Sequence, residues 1–280
     1  MLVRRGARIG RYQIEGLLGQ GGMGQVHVAL DTSTGQRVAL KTVQRRGELA
    51  PDATTHLRLL REARAAAVLA HPNAVAVVDI GEHADVTFVA MELVQGRPLR
   101  AFVGDAGVPL ASKVRWLHDI ASVLAEAHRL GLVHRDVKPD NVVVRDDGVA
   151  KMLDFGIVKR VAVPGGEARE RTHDLTAEGM ILGTPRYMPP EAFEGFIGPA
   201  SDQFAWGAMA YELLSGTHPF LAPPNVPQYE WLLRTVPKPL AALAPETPAH
   251  VAATITRALA KSRDRRHASM LDIVRALESS

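Results

Sequence analysis

The hydrophobic periodicity of the chain changes near residues 96–98, and this change limits the fold more than any other feature. Before it, apolar residues mostly alternate with polar ones, as at Val26, Val28 and Leu30, which is the period of a half-buried strand. From Ser112 onwards they mostly return at intervals of three and four, which is the period of a helix. We therefore predict an α+β fold in which a small antiparallel β-rich lobe with one key helix precedes a larger helical lobe.

The same patterns locate individual elements. In the first lobe we expect strands at 26–30, 37–43, 74–79 and 87–93 and a helix over 55–70, with Gly96 and Pro98 ending the strand pattern. In the second we expect a helix from an N-cap at Ser112 to Arg129, a hairpin around the acidic turn 146–148, and helices at 201–215, 248–259 and 269–277. The 55–70 helix places Glu62 on a stripe that is otherwise apolar.

Composition excludes several classes of function. The 280 residues contain no cysteine, so disulfides, thiolate catalysis and Cys-ligated metal centres are excluded. No apolar run reaches the roughly 18 residues of a membrane helix, and the basic start has no apolar core of the kind found in secretory signals. We expect a cytoplasmic chain, or the cytoplasmic part of a membrane-anchored protein if the chain continues past residue 280.

The formal net charge is only +3, from 33 basic and 30 acidic residues. Arginine and lysine do cluster near the amino end and at 261–266, and such clusters can hold nucleic acid or phosphate. We interpret them as solvated surface charge, and no nucleic-acid partner is expected.

A glycine-rich segment, Gly19-x-Gly21-x-x-Gly24, opens the first lobe. A dinucleotide-binding fingerprint would be followed by a helix, whereas residues 25–30 alternate as a strand. Strand, glycine loop and strand make a flap whose backbone amides can approach phosphates closely. An ordinary hairpin turn remains the alternative for this motif taken alone.

Lys41 ends the strand segment Val38-Ala39-Leu40-Lys41, on the same side as Ala39. A carboxylate on an apolar helix stripe needs a cationic partner, and Lys41 is the natural candidate for Glu62. A purely structural ion pair is the alternative.

The segment His134-Arg135-Asp136-Val137-Lys138-Pro139-Asp140-Asn141 carries the strongest chemical signal. Asn141 precedes one strand of the predicted hairpin and Asp154 follows the other, so the two side chains are expected to face each other. An amide oxygen and a carboxylate there suit Mg²⁺, which prefers oxygen ligands. Asp136 lies five residues upstream and can accept a proton from an attacking hydroxyl.

In their order and spacing these motifs resemble the eukaryotic-like (Hanks-type) protein kinase family, over about residues 12–277. The resemblance implies one catalytic domain over 1–280, with an N-lobe at about 8–94, a hinge at about 92–98 and a C-lobe at about 99–280. It implies that Asp136 is the catalytic base, that Lys138 contacts the transferred phosphate as in the serine/threonine class, and that Asn141 and Asp154 hold metal.

The resemblance also implies the nucleotide contacts. Lys41 would hold the α- and β-phosphates and pair with Glu62, and Met91 would be the gatekeeper of the adenine hinge. The implied ATP-binding residues are Leu18, Gly19, Gln20, Gly21, Gly22, Met23, Gly24, Val26, Ala39, Lys41, Met91, Glu92, Val94 and Val143.

The segment from Gly183 to Glu191 resembles the substrate-side loop of the family, with Pro189 in place of the usual small residue. Glu191 would pair with Arg266, and Asp202 would hold the backbone of the catalytic loop. Arg263 stands where relatives often have proline, so the loop before Arg266 is expected to differ.

Arg135 beside the catalytic base suggests control by phosphorylation, because a buried arginine needs a counter-anion that a phosphothreonine can supply. The segment 154–191 contains no serine and only Thr172, Thr176 and Thr184. Thr184 is expected to face the catalytic loop, which makes Thr176 the first choice and Thr172 the second.

We therefore expect a non-specific serine/threonine protein kinase of bacterial type that uses ATP and Mg²⁺, with Mn²⁺ as a substitute, and acts on protein substrates. A homodimer is compatible with trans-autophosphorylation. A pseudokinase scaffold and a small-molecule phosphotransferase are the alternatives; intact catalytic positions disfavour the first, and the 183–191 loop disfavours the second.

Overall fold

The computed structural model describes residues 4–21, 24–44, 60, 63–64, 67–153 and 185–279. The chain forms two compact units, the first ending at Gln95 and the second beginning at Gly96. No helix among the described residues is long and apolar enough to cross a membrane.

The first unit is built on an antiparallel sheet whose strand order is β1-β2-β3-β4-β6-β5. Its strands are β1 (Arg8–Ile9), β2 (Tyr12–Gly21), β3 (Gly24–Asp31), β4 (Arg37–Gln44), β5 (Val77–His83) and β6 (Val86–Glu92). Side chains alternate between two faces, so Val38 and Leu40 enter one apolar cluster with Tyr12 and Ile14. The opposite face carries a second cluster that includes Val43, Val89 and Met91.

Two sequence predictions in this unit need correction. The strand expected at 74–79 instead spans Val77–His83. It extends further than expected because residues up to His83 pair with β6, and Gly81 leaves room there for the ring of Phe88. The helix expected at 55–70 lies mostly outside the described residues. Leu60, Ala63 and Arg64 are helical, but residues 67–68 form a turn, because Pro72 has no N–H to continue the helix and restricts the residue before it.

Two members of the amino-terminal basic cluster make local contacts. Arg11 pairs with Asp31 at 3.0 Å and with Asp79 at 3.1 Å, and Arg8 donates to the hydroxyl of Thr32. Arg11 lies in the turn between β1 and β2, whereas Asp31 ends β3 and Asp79 lies on β5, so part of this positive charge is compensated within the fold.

The second unit begins with a strand where the sequence predicted a break. Gly96–Pro98 form β7, which pairs with β8 (Val142–Arg145), and β8 pairs with β9 (Ala150–Met152) in the predicted hairpin. Pro98 is tolerated because β7 is an edge strand. Gly96 is required because a Cβ there would lie 2.2 Å from the carbonyl oxygen of Val144.

Helices form the rest of the second unit. They are α1 (Leu110–Arg129), α2 (Pro190–Phe193), α3 (Pro199–Ser215), α4 (Gln228–Arg234), α5 (Leu240–Leu243), α6 (Ala249–Ala258) and α7 (Met270–Glu278). Ser112 is not the N-cap of α1, because Pro109, with its fixed φ, takes the N-cap position three residues earlier. Helix α3 is buried along nearly its whole length, and the indole of Trp206 donates to the carbonyl of Leu117 on α1.

The glycine hairpin between β2 and β3 depends on one close backbone approach. Gly24 has φ +127°, and a Cβ there would lie 2.1 Å from the carbonyl oxygen of Thr42 on β4. A Cβ at Gly19, in the same hairpin, would meet open space.

We predict that Gly24→Ala lowers the free energy of unfolding by about 1–3 kcal/mol, because the backbone must move to accommodate the methyl group. Gly19→Ala is the matched control and should leave stability unchanged or slightly raised. Urea unfolding of the two variants checks this, and equal midpoints would contradict the structural assignment of Gly24.

Candidate active site

The glycine segment is a hairpin and not a strand–helix turn. Gly21 pairs with Gly24 and Gly19 with Val26 across β2 and β3, with two irregularities in the register of β2. A helix would have to follow the glycines in a dinucleotide-binding unit, so the strand β3 argues against that reading. Gly22 and Met23 lie outside the described residues.

One face of the first sheet collects side chains that the sequence associates with ATP. Lys41 lies opposite Val26 and Val89, and Ala39 lies opposite Val28 and Met91. Residues directly opposite in an antiparallel sheet share a face, so the amine of Lys41 belongs to the same face as these apolar side chains. Glu62, its expected partner, lies outside the described residues.

The remaining nucleotide candidates of this unit are placed as follows. Leu18 and Gln20 are exposed on β2, and Met91 is buried. Glu92 ends β6, where its backbone N–H donates to the carbonyl of Ala76, and Val94 is half-buried just after it. In the second unit, Val143 is half-buried on β8.

Three side chains of the catalytic segment form one hydrogen-bonded cluster. The Oδ2 atom of Asp136 accepts hydrogen bonds from Lys138 Nζ at 2.8 Å and from Asn141 Nδ2 at 2.9 Å. Asn141 Nδ2 also donates to the backbone carbonyl of Asp136 at 2.7 Å. The structure therefore brings together a carboxylate that can accept a proton and a cation that can neutralise negative charge beside it.

The amide of Asn141 is oriented by these bonds. Because its nitrogen points at Asp136, its oxygen lies on the opposite side of the group. Asn141 immediately precedes β8, and its backbone carbonyl accepts a hydrogen bond from Leu153 N, just after β9. An amide oxygen at the end of a hairpin fits a divalent metal ion. Asp154, the second expected ligand, lies outside the described residues.

Asp202 holds the backbone at the start of the catalytic segment. Its two oxygens accept hydrogen bonds from the backbone amides of His134, at 2.7 Å, and Arg135, at 2.8 Å. His128 lies 2.8 Å from the same carboxylate, which is almost fully buried. Arg135 has φ +67°, a conformation that costs energy for a residue with a side chain, and the two hydrogen bonds to Asp202 stabilise it.

His134 connects the segment to the hairpin. Its Nε2 donates to the carbonyl of Leu153 at 2.9 Å, and its Nδ1 accepts a hydrogen bond from the amide of Asp136 at 3.3 Å. Arg135 is half-buried, whereas the sequence interpretation assumed a buried arginine. Thr172, Thr176 and Thr184 lie outside the described residues.

Glu191 and Arg266 form a buried ion pair. Arg266 Nη1 and Nη2 lie 2.6 and 2.8 Å from the two carboxylate oxygens. The guanidinium also donates to the carbonyls of Ala200 and Ala260 and packs on the ring of Phe204. Both charges are therefore paired and hydrogen-bonded in the interior, which is the condition for burying them.

Three residues near this pair in the sequence have defined local structure. Pro189 is buried and extended at the N-cap of α2, two residues before Glu191, so the proline substitution fits the local backbone. Arg263 opens a short 3₁₀ helix, and its guanidinium lies over the ring of Phe196. Lys261 Nζ lies 3.4 Å from the centroid of the Phe220 ring, and burial, followed by the charge of Arg266, lowers the pKa of this amine to about 7.

We predict that Glu191→Gln lowers the free energy of unfolding by about 3–5 kcal/mol, because it leaves the buried guanidinium of Arg266 without a counter-charge. Glu126→Gln is the matched control: Glu126 pairs with Arg129 on the exposed surface of α1, and its loss should cost less than about 0.5 kcal/mol. Chemical denaturation of both variants checks the difference, and equal losses would contradict it.

Sequence reasoning missed one residue, Arg100. Its Nη2 donates to Asp140 Oδ2 at 2.9 Å and to the hydroxyl of Tyr187 at 2.6 Å, and its Nη1 lies 2.9 Å from Glu212 Oε1. The hydroxyl of Tyr187 also donates to Glu212. Burial, together with the hydrogen bond to Glu212, raises the pKa of Tyr187. No sequence spacing connects these residues, because the chain brings them together only through its tertiary fold.

Comparison with known proteins identifies the family. Residues 12–274 match the family described as "Protein kinase domain". The chain is 34% identical over 264 residues to the serine/threonine-protein kinase PknB of Mycolicibacterium smegmatis, covering 92% of this chain and 41% of that protein. It is 35% identical over 268 residues to the serine/threonine-protein kinase PknA of Mycobacterium tuberculosis, covering 93% of this chain and 59% of that protein.

The fold comparison agrees. The crystal structure of the Mycobacterium tuberculosis PknI kinase domain superposes with a TM-score of 0.71 at 26% identity, covering 99% of both chains. The chain therefore belongs to the protein kinase family and has the expected α+β, bilobal kinase fold. Its relatives place it among the Hanks-type serine/threonine kinase domains, a family of transferases that use ATP and a divalent metal to phosphorylate proteins. The chain spans about two-fifths to three-fifths of the length of these two curated relatives.

Proposed function

We propose that this chain is an active catalytic domain that transfers the γ-phosphoryl group of Mg·ATP to serine and threonine hydroxyls of proteins. The observation that carries this proposal is the cluster of Asp136, Lys138 and Asn141. Asp202 holds the two residues just before this cluster, His134 and Arg135, by their backbone amides. All three side chains are half-buried, so they remain accessible to a substrate. The names of the relatives support the serine/threonine class.

In this mechanism Asp136 orients the attacking hydroxyl and accepts its proton. Lys138, at 2.8 Å from Asp136, neutralises charge on the transferring phosphoryl group. ATP with Mg²⁺ supplies the phosphoryl group and the cation that compensates its charge; Asn141 and Asp154 would hold that ion, and Mn²⁺ can replace it. Catalysis then rests mainly on positioning and electrostatic stabilisation.

We propose that the chain is a single catalytic domain, with an N-lobe at about 8–94, a hinge at about 92–98 and a C-lobe at about 99–280. Lys41 would contact the α- and β-phosphates and pair with Glu62. The face of the first sheet that carries Ala39 and Met91 beside Lys41 supports this role, because it offers apolar surface next to a cation. We place the reaction in the cytoplasm, where ATP is available.

A pseudokinase scaffold is the competing proposal. It predicts that the catalytic cluster binds without turnover, whereas the hydrogen bonds of Asp136 are those of an assembled site.

We predict that Asp136→Asn lowers the rate of phosphoryl transfer by about 10²–10⁴-fold, because the amide cannot accept the proton from the hydroxyl. The measurement is incorporation of labelled phosphate from ATP and Mg²⁺ into the protein itself and into a general protein substrate. Asp147→Asn, in the exposed turn of the β8–β9 hairpin, is the matched control and should retain full activity. If the wild type and Asp136→Asn are equally inactive, the scaffold proposal is favoured.

Activation by autophosphorylation is proposed at Thr176, with Thr172 as the second site. Arg135 is adjacent to Asp136, so a phosphate held by Arg135 would act directly on the catalytic segment. Transfer between two copies of the chain would require a transient homodimer.

We predict that Thr176→Ala lowers the activity reached after preincubation with ATP by about tenfold, because it removes the phosphate that would pair with Arg135. Phosphopeptide mass spectrometry of the wild type should find phosphate on Thr176. Thr172→Ala tests the second site, and Thr34→Ala, in an exposed turn of the first unit, is the control. Unchanged activity of Thr176→Ala together with an unmodified Thr176 would rule out this regulation.

A further inference from the structure

The guanidinium of Arg100 is seated among three oxygen-bearing side chains. It contacts Asp140 at 2.9 Å, the hydroxyl of Tyr187 at 2.6 Å and Glu212 at 2.9 Å. These residues come from the catalytic segment, from the chain before α2 and from α3. Asp140, Tyr187 and Glu212 thus form a binding site for a guanidinium group, which we call the receptor, and Arg100 of the same chain occupies it.

The receptor has an excess of negative charge. Two carboxylates share one guanidinium, and only 6% of the Glu212 side chain is exposed, so Glu212 depends on a nearby cation. His218 packs edge-on against Tyr187 but supplies no charge near neutral pH, because burial and the neighbouring charges of Arg186 and Arg100 lower its pKa to about 3. Without Arg100 the receptor would present two carboxylates to whatever reaches it.

The receptor lies beside the residues proposed to act on the substrate. Asp140 directly precedes Asn141, and Tyr187 belongs to the segment 183–191 that is expected to face the substrate. The Asp140 side chain is 51% exposed and that of Arg100 is 33% exposed, so a peptide can approach them. Three acceptor oxygens around one cation suit arginine, because its guanidinium carries five N–H donors and a permanent charge.

We propose that Arg100 is a specificity-determining residue: it occupies from within the chain an acidic receptor that would otherwise select a basic side chain of the protein substrate. This proposal rests on the proposed kinase function. In the wild-type enzyme, a substrate residue positioned near Asp140 and Glu212 therefore does not raise kcat/KM by being basic. Substrate choice is then set by other contacts.

The test compares peptide selectivity of the wild type and Arg100→Ala. Each peptide of a library carries one acceptor serine or threonine, and arginine is placed in turn at every flanking position. We expect Arg100→Ala to raise kcat/KM about tenfold for peptides with arginine at one position, relative to the wild type. Arg100→Lys should keep the wild-type profile, because it retains the charge.

Two further variants locate the effect. The double variant Arg100→Ala/Asp140→Asn should lose most of the gained preference, because it removes one of the two carboxylates. Arg145→Ala, which removes an exposed arginine that pairs with Asp147 on the nearby hairpin, should leave the profile unchanged. An unchanged profile in an active Arg100→Ala enzyme overturns the proposal, and so does a gain that persists in full in the double variant.

A binding measurement tests the receptor without relying on catalysis. Guanidinium chloride at low millimolar concentration should raise the Tm of Arg100→Ala more than sodium chloride does, and should have no such effect on the wild type or on the double variant. If Arg100→Ala does not fold alone, its refolding yield with guanidinium replaces the Tm. If guanidinium has no more effect on Arg100→Ala than sodium does, the receptor proposal is wrong. If guanidinium does have a selective effect but the chain phosphorylates no peptide, the receptor proposal stands and the proposed kinase function is contradicted.

Discussion

The buried carboxylate of Asp202 accepts hydrogen bonds from two consecutive backbone amides, those of His134 and Arg135. It acts across 67 residues of sequence, from the first turn of α3 to the catalytic segment, and it stabilises the left-handed backbone of Arg135. The next residue, Asp136, can then receive both Lys138 and Asn141 on one oxygen. If Asp202 were displaced, the segment would lose the constraint that brings these side chains together.

The second unit buries other charges under the same physical condition. Arg266 is almost fully buried, and its guanidinium is compensated by Glu191 and by backbone carbonyls. Glu212 is compensated by Arg100. Each group would be costly alone, because burial removes its hydration, and each is retained with a partner of opposite charge. The two pairs differ in position, since one lies inside the unit and the other opens to solvent through Asp140.

In the first unit the physical constraint is the alternation of a sheet. One face holds the core around Tyr12 and Leu40, which leaves the other face to carry Lys41 among apolar side chains. The close approach of Gly24 to the carbonyl of Thr42 fixes where the glycine hairpin meets β4. The glycine motif is a weak signal in the sequence, but in the structure this contact fixes its position relative to β4.

Local patterns in the sequence were sufficient for much of the fold. The two-residue period predicted β3 and β4, the helical period predicted α1, α3, α6 and α7 to within about three residues, and the acidic turn predicted the β8–β9 hairpin. Some errors arose where tertiary contacts decide the outcome. Residues 96–98 form the strand β7 only because they pair with β8, which lies about 45 residues further along the chain. The start of α1 was missed for a local reason, since Pro109 and not Ser112 is its N-cap.

The sequence by itself determined which chemical groups are present and, through the short spacing from Asp136 to Asn141, that they are neighbours. It could also suggest the pairing of Glu191 with Arg266, but only by resemblance to a family. Only the tertiary structure decided where the Arg100 side chain binds. Its contact with Tyr187 joins residues 87 positions apart, and no periodicity in the sequence predicts such a contact. Charge compensation in a folded interior depends on distance in space, and a sequence records only distance along the chain.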